Sequence, residues 1–234
     1  MKPFATHPVI CIRGHSFFAG PLCSDSTVID LGANHGEFSS GIRAHFGCRC
    51  IAVEPNPELC RTVRLIAGVE LFEYAISDRD GDSLTFHLSD QSEASSLFKI
   101  RGESNSRTVT IRSITLESLM EEAKVGRVDL LKVDIEGAEI ALFRSTSDEV
   151  LRRVDQISIE FHDFCGYVTT DQVKEVRRRL HAAGFSGYRY DVDNKNWLFV
   201  RREAASQLKR VYAGHAMSLL RRTLHRVRGT LAQM

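Results

Sequence analysis

Residues 28–38, VIDLGANHGEF, decide the fold. Residues 28–31 form a short apolar, β-branched run of the kind a buried strand uses. The glycine-bearing turn at 32–36 leads directly into a helix expected over 37–46. Working outward, a second strand is expected at 50–53, ending in Glu54-Pro55. A helix over 57–66 follows, with Gly68 as its stop signal, and then a third strand over 69–76. Strand, helix, strand, helix, strand at this spacing means βαβ units, a parallel sheet and right-handed crossovers. Residues 78–112 are polar and turn-rich and predict an inserted antiparallel hairpin with strands at 84–88 and 109–114. Regular alternation then resumes. A helix is expected at 116–123, a strand at 128–133, a helix from the turn at 134–137 to about 144, a strand at 156–161 and a helix at 170–183 closed by Gly184. Strands at 188–192 and 197–200 predict a terminal antiparallel hairpin. The fold class is α/β: one doubly wound, Rossmann-like sheet over residues 25–202. It is preceded by an extension (1–24) and followed by a basic amphipathic helix (203–234).

Composition narrows the function. The chain has 234 residues, 43% hydrophobic and 26% charged, with 31 Lys+Arg against 30 Asp+Glu. That is ordinary for a globular protein, and a net charge of +1 marks no nucleic-acid binder. No run approaches the ~20 apolar residues a bilayer-spanning helix needs. The N-terminus lacks a signal-peptide core, so a cytoplasmic location is expected. The six cysteines are too irregularly spaced for a disulfide framework, and Cys48-x-Cys50 is not a C-x-x-C site. They are expected to be reduced, buried and inert.

In an open parallel sheet, ligands bind beyond the carboxyl ends of the strands near the switch point. Those ends are acidic or polar here. The first carries Asp30, two residues before Gly32, and the second carries Glu54, placed for both ribose hydroxyls. The fourth carries Asp134 and Glu136, and the fifth Glu160 with His162. A nucleoside-bearing ligand follows. The spacing Gly32-x-x-x-Gly36 departs from G-x-G-x-x-G, and a carboxylate this close to the first glycine repels pyrophosphate but suits an ammonium group. S-adenosylmethionine, with an amino-acid tail and no phosphate, fits better than NAD.

The blocks VIDLGANHGEFS, AVEPNP, AISDRDG, TLESLM, DLLKVDIEGAE and ISIEFH resemble, in order and spacing, the successive motifs of the FkbM family of methyltransferases. The resemblance covers about residues 25–202. It implies a class I S-adenosylmethionine-dependent methyltransferase sheet and O-methylation of polyketides, sugars or glycolipid-like acceptors in bacteria; one branch methylates a fucose of lipochitooligosaccharides. It assigns Asp30, Gly32, Asn34 and Gly36 to the methionine end of the cofactor, Glu54 to the ribose and Ala75 to the adenine. Ala33, His35 and Phe38 of the same loop, and Pro55 and Asn56 after Glu54, are counted with them.

For catalysis the expected residues are Asp134, Glu136, Glu160 and His162. Asp134 is expected beside the methyl group, accepting the acceptor hydroxyl's proton. The structural alternative makes Asp134 the N-cap of a helix beginning near Gly137, with Glu136 in its first turn. His162, sharing a strand face with Glu160, is the second candidate base. Asp134, Glu160 and His162 together offer donors for a divalent metal, although no metal is required by the pattern. Of the other histidines, only His35 is expected near the cofactor. The insertion forms the acceptor platform, with Ser95 and Ser96 as substrate contacts.

Two rival readings remain. A nicotinamide-dependent oxidoreductase would share the sheet and the ribose carboxylate, but neither a Tyr-x-x-x-Lys pair nor a pyrophosphate loop is present. A non-catalytic cofactor-fold module would act through the basic tail. Residues 201–234 hold eight Arg/Lys against one acid, Glu203, and Ala213, Met217, Leu220, Leu224, Val227 and Leu231 recur at heptad-like steps. Such a helix packs on its own domain, on a second copy, or on an anionic membrane face. The expected partners are a small-molecule or glycan acceptor and no nucleic acid.

Overall fold

Parallel register sets Asp30 between Ala52 and Lys132, with Ser158 next beyond Lys132, at the centre of a seven-stranded sheet. A computed structural model of the protein describes residues 9–88, 107–189 and 196–203. The chain opens with β1 (Val9–Ile12) and β2 (His15–Phe18), a hairpin. Then come β3 (Thr27–Leu31), α1 (Glu37–Phe46), β4 (Arg49–Val53), α2 (Pro57–Val63) and β5 (Val69–Phe72). The insertion contributes β6 (Ala75–Ile76), β7 (Ser83–Leu88) and β8 (Arg107–Ile114). The second half runs α3 (Leu116–Glu122), β9 (Leu130–Val133), α4 (Glu139–Ser145), α5 (Asp148–Arg152), β10 (Gln156–Glu160), a 3-10 turn (His162–Cys165), α6 (Thr170–Ala182), β11 (Phe185–Arg189) and β12 (Asn196–Arg201).

The sheet order is β11-β12-β10-β9-β3-β4-β5. From β3 the chain steps outward through β4 to β5, then returns to β9 on the other side of β3. The switch point therefore lies between β3 and β9, the place where a doubly wound sheet leaves a crevice. β12 runs antiparallel to both β10 and β11, as expected of the terminal hairpin. β7 and β8 form the expected inserted hairpin, and β6 joins them in a small separate sheet.

Strand alternation sends successive side chains to opposite faces. Ile29, Leu31, Ile51, Val53, Leu131, Val133, Ile157 and Ile159 point into the larger core, shared with α3, α4 and α6. Val28, Cys50 and Leu130 face the other way and pack with Phe17, Phe38 and Ile42 from β2 and α1. On that second face the row Asp30, Lys132 and Ser158 is buried and polar. Helix starts follow sequence: Asn56, Thr115 and Ser147 cap α2, α3 and α5, and Thr169 with Gln172 completes a capping box on α6.

Several expected boundaries move. The strand expected over 69–76 is broken at residues 73 and 74, and its halves join different sheets. The helix expected to reach residue 66 ends at Val63, and the last turn before Gly68 is irregular. β11 begins at Phe185, three residues before the expected 188, because it pairs from Phe185 opposite Arg201. The β1–β2 hairpin lies where only an extension was expected. Its two-residue turn, Arg13-Gly14, has both φ angles positive (49° and 83°), the geometry that matches strand twist. Gln156 ties the hairpin to the main sheet: its Oε1 accepts from Phe18 N at 2.8 Å and its Nε2 donates to Phe18 O at 3.0 Å. Cys11 and Cys23 are exposed, contrary to the expectation of uniformly buried thiols, while Cys48, Cys50 and Cys60 are buried and unbridged. Ser95, Ser96 and the heptad-like segment lie outside the described residues.

Candidate active site

The loop after β3 is held in place before any ligand arrives. Gly32 (φ +75°) lets the loop after β9 come so close that an added Cβ would sit 1.8 Å from the Asp134 carbonyl oxygen. Asn34 also has a left-handed backbone (φ 51°). Its N–H donates to Glu54 Oε2 at 2.7 Å, and Asn56 N–H donates to Oε1 at 2.8 Å. The Asn34 side-chain oxygen is buried without a partner. Burial pushes the Glu54 carboxyl up to about 7, against the opposing pull of those two backbone donors and Lys132.

Beneath the loop, Lys132 is buried with its ammonium 3.0 Å from Asp30 Oδ1 and 3.6 Å from Asp134 Oδ2. It also donates to the Gly32 carbonyl at 2.6 Å. Burial alone would lower its pKa; the two carboxylates more than offset this and raise it. Asp30 takes the Ser39 hydroxyl as a second donor at 2.8 Å.

Asp134 is the hub. Its Oδ2 lies 3.3 Å from His15 Nε2 and its Oδ1 lies 3.5 Å from His162 Nε2. Burial would raise its pKa, but Lys132, His15 and His162 hold it well below the usual carboxylate range. Burial lowers the pKa of His15, only partly countered by Asp134, so this imidazole is neutral near pH 7. His162 is the opposite case. Burial disfavours its charge, yet Glu136 (Oε2 at 3.3 Å from Nε2) and the fully buried Glu139 (Oε1 at 2.8 Å from Nδ1) overwhelm that and push it up to about 11. A histidine held as imidazolium is a poor general base, so its contacts with Glu136 and Glu139 disfavour that alternative role for His162.

These groups open onto one cavity of about 400 Å³ at the switch point, within the size range of small-molecule sites. Gly32, Ala33, Asn34, His35, Phe38, Glu54, Pro55 and Ala75 all line it, as do all four expected catalytic residues. Tyr74, Ile76 and Phe86 add an apolar wall from the inserted sheet and its approach. Three expected cofactor residues stand behind the wall. Asp30 is neutralised by Lys132, Gly36 is the left-handed N-cap of α1 packed against Ile66, and Asn56 caps α2 through Glu58 N. Asp134 is not a helix cap, because α4 starts only at Glu139 after Ala138. The expected metal trio does not converge as such. Asp134 instead belongs to two groups, one with His15 and Glu160 and one with Glu136 and His162.

Three residues of this site, Lys132, His15 and Glu139, were not expected in it. Lys132 carried a signal, since a lysine inside an apolar strand needs a buried partner. His15 carried none, because 119 positions separate it from Asp134.

A family model, the methyltransferase FkbM domain, matches residues 30–186. The chain belongs to the FkbM methyltransferase family. Its strand order is accordingly that of the Rossmann-like class I S-adenosylmethionine-dependent methyltransferases. The FkbM chain is 25% identical over 191 residues to Methyltransferase 1 of Beauveria bassiana, covering 71% of this chain and 74% of that protein. It is 24% identical over 204 residues to the AMB antimetabolite synthetase AmbE of Pseudomonas aeruginosa, covering 70% of this chain. It spans only 10% of that synthetase's length. Among solved structures, the Methanococcus jannaschii fibrillarin pre-rRNA processing protein aligns over 86% of this chain and 84% of that one, with 13% identity and a TM-score of 0.47.

The FkbM site fits S-adenosylmethionine on its own chemistry. Each Glu54 oxygen spends one lone pair on a backbone N–H and keeps capacity for a ribose hydroxyl. The unpartnered Asn34 oxygen is a ready acceptor for an ammonium donor.

Proposed function

We propose that the chain transfers the methyl group of S-adenosylmethionine to a hydroxyl oxygen of a sugar, glycolipid-like or related natural-product acceptor. The observation that carries this reading is the Asp134 carboxylate, flanked by His15, Lys132 and His162 on the same cavity that Glu54 lines. A polyhydroxylated acceptor brings many donors, and Asp134, Glu136 and Glu160 offer acceptors for them. Phe164, half exposed at the cavity, provides a flat apolar surface for a sugar ring's C–H face.

The bound sulfonium supplies an electrophilic methyl group. The protein's residues then have three tasks: holding the nucleoside, excluding water and orienting the acceptor oxygen. Glu54 and Asn34 fix the cofactor. Asp134 accepts the acceptor's O–H hydrogen bond and aims a lone pair of that oxygen along the line of displacement. An oxygen acquiring a methyl group becomes an oxonium, a far stronger acid than any carboxylic acid. A carboxylate of depressed pKa such as Asp134 therefore suffices to take the proton late in the reaction. No basic imidazole is needed. Lys132 and His15 keep Asp134 ionised and fixed in direction.

The test is calorimetric titration with S-adenosylhomocysteine, NAD as control, followed by a methyl-transfer screen on sugar hydroxyls. Micromolar binding lost in Glu54→Ala supports the cofactor. Methylation confined to amine or carbon acceptors would overturn the hydroxyl assignment. Absent cofactor binding in folded protein would favour the non-catalytic reading instead. The described residues contain no helix long and apolar enough to cross a membrane.

A further inference from the structure

We propose that Asp134, Glu136 and His162 form a site for a divalent first-row transition-metal ion beside the methyl-transfer position. The Asp134 and Glu136 oxygens stand 3.5 and 3.3 Å from His162 Nε2. Those separations are long for charge-assisted hydrogen bonds, which fall at ~2.7–2.9 Å. For metal–ligand bonds of ~2.1 Å the donor-to-donor edges of an octahedron or tetrahedron run about 3.0–3.4 Å. The Glu136 separation falls inside that range and the Asp134 separation stands about 0.1 Å beyond it.

A second observation comes from behind the ring. His162 is 3% exposed, and its other nitrogen is held at 2.8 Å by Glu139, which is fully buried. A carboxylate gripping the far nitrogen is how proteins aim a metal-ligating imidazole. The second Glu139 oxygen is buried with no partner. Three carboxylates thus surround one imidazole, and Lys132 faces only Asp134 among them, so a dication on the His162 side is better matched to these carboxylates than one proton is. A dication takes the proton's place on Nε2.

Position favours this trio over the other one that Asp134 completes. A metal between His15, Asp134 and Glu160 would face the Lys132 ammonium, which lies 3.6 Å from Asp134 Oδ2. The His162 side is shielded from Lys132 by Asp134 itself. Mixed imidazole and carboxylate donors select Mn²⁺, Fe²⁺, Co²⁺ or Zn²⁺ over Mg²⁺ and Ca²⁺. The donors line the open cavity, so water or an acceptor hydroxyl completes the coordination. This catalytic consequence rests on the methyl-transfer reading; the metal binding does not.

The experiment uses the full chain stripped with chelator and titrated with Mn²⁺, followed by electron paramagnetic resonance and calorimetry. One Mn²⁺ per chain at micromolar concentration is expected, with Mg²⁺ far weaker. Glu136→Gln and His162→Gln should each weaken Mn²⁺ by at least about tenfold, and Glu139→Gln by ~10–100-fold through loss of ring orientation. Glu58→Gln, a surface control paired with Arg107, should leave it unchanged. S-adenosylhomocysteine binding is measured on every variant to report folding and the cofactor site. Intact cofactor binding without Mn²⁺ binding overturns the metal site alone. So does Mn²⁺ binding indifferent to Glu136→Gln and His162→Gln. Mn²⁺ binding without cofactor binding overturns the methyl-transfer reading and leaves the metal site standing.

Discussion

Lys132 Nζ lies 3.0 Å from Asp30 Oδ1, with the two side chains sealed at 4% and 1% exposure on adjacent parallel strands. The pair stands directly under the glycine loop, and the same ammonium donates to the Gly32 carbonyl and faces Asp134. A strand-end carboxylate that first looks like a ligand for the cofactor is therefore the counter-ion of a buried lysine. That lysine in turn sets the position of the loop above and the charge of the carboxylate beyond.

Removing one member of such a pair leaves an uncompensated buried charge, at a cost of ~3–5 kcal/mol. Lys132→Met should lower unfolding stability by that order. Adding Asp30→Asn to Lys132→Met should recover most of the loss, since neither charge then stands alone. Urea unfolding of the two singles and the double decides it. Additive losses would mean that the two side chains are not energetically coupled.

Two glycines with the same φ separate backbone strain from close packing. Gly81→Ala (φ +75°) meets nothing within 4 Å and should cost only about 1–2 kcal/mol of left-handed strain. Gly32→Ala (φ +75°) places a methyl 1.8 Å from the Asp134 carbonyl, a backbone atom that cannot rotate away. It should cost several kcal/mol and weaken S-adenosylhomocysteine binding as the loop lifts. Paired thermal melts and titrations give the comparison; equal losses would remove the packing explanation.

Local patterns made much of this legible. The run VIDLGANHGEF predicts β3, its turn and α1, and the alternation that follows predicts the sheet, the inserted hairpin and the terminal hairpin. The cavity carboxylates Asp134, Glu136 and Glu160, and Glu54, were visible because strand ends point at the crevice, wherever the strands lie. The hidden parts depend on which strands become neighbours. Asp30 meets Lys132 only because β3 and β9 pair in one particular register. His15 reaches Asp134 only because the first hairpin folds across β10 and is pinned there by Gln156. The break at residues 73 and 74 is equally nonlocal, since β6 leaves the main sheet to pair with β8, more than thirty residues on.

Glu54 should make cofactor affinity depend on pH. Its carboxyl is pushed up to about 7 in the free protein, and ribose hydroxyls donate best to the ionised form. Affinity for S-adenosylhomocysteine should fall as pH drops below 7, approaching about tenfold per pH unit. Stability without ligand runs the other way. The folded state keeps a proton that the unfolded chain releases near pH 4.5, so this group's contribution declines as pH rises from about 4.5 to 7. Titrations across that range test the first trend; a flat affinity profile would show that Glu54 is already ionised.

The two buried histidines should differ in charge at one pH. Nitrogen-detected magnetic resonance of metal-free protein at pH 8 should show His162 protonated on both nitrogens and His15 neutral. The signs follow from their shifts. His162, raised to about 11, contributes stability in full below about 6.5 and loses it as pH climbs toward 11. His15, lowered, contributes stability above about 6.5 that is lost as pH falls. A neutral His162 at pH 8 would restore it as a candidate base.

Asp134→Asn keeps the size of the side chain and the backbone contact with Gly32 but removes the charge. S-adenosylhomocysteine affinity should stay within a few-fold of the parent, because Glu54 and Asn34 carry the cofactor contacts proposed here. Turnover should fall by roughly 10²-fold or more, the usual range for losing a positioned proton acceptor. The fall should appear in kcat rather than in cofactor binding, since the carboxylate's advantage grows as the acceptor oxygen becomes an oxonium. The amide can still accept a hydrogen bond and orient the hydroxyl, so positioning alone would survive the substitution. Full turnover in Asp134→Asn would show that orientation is all this residue provides, and that the proton leaves by another path.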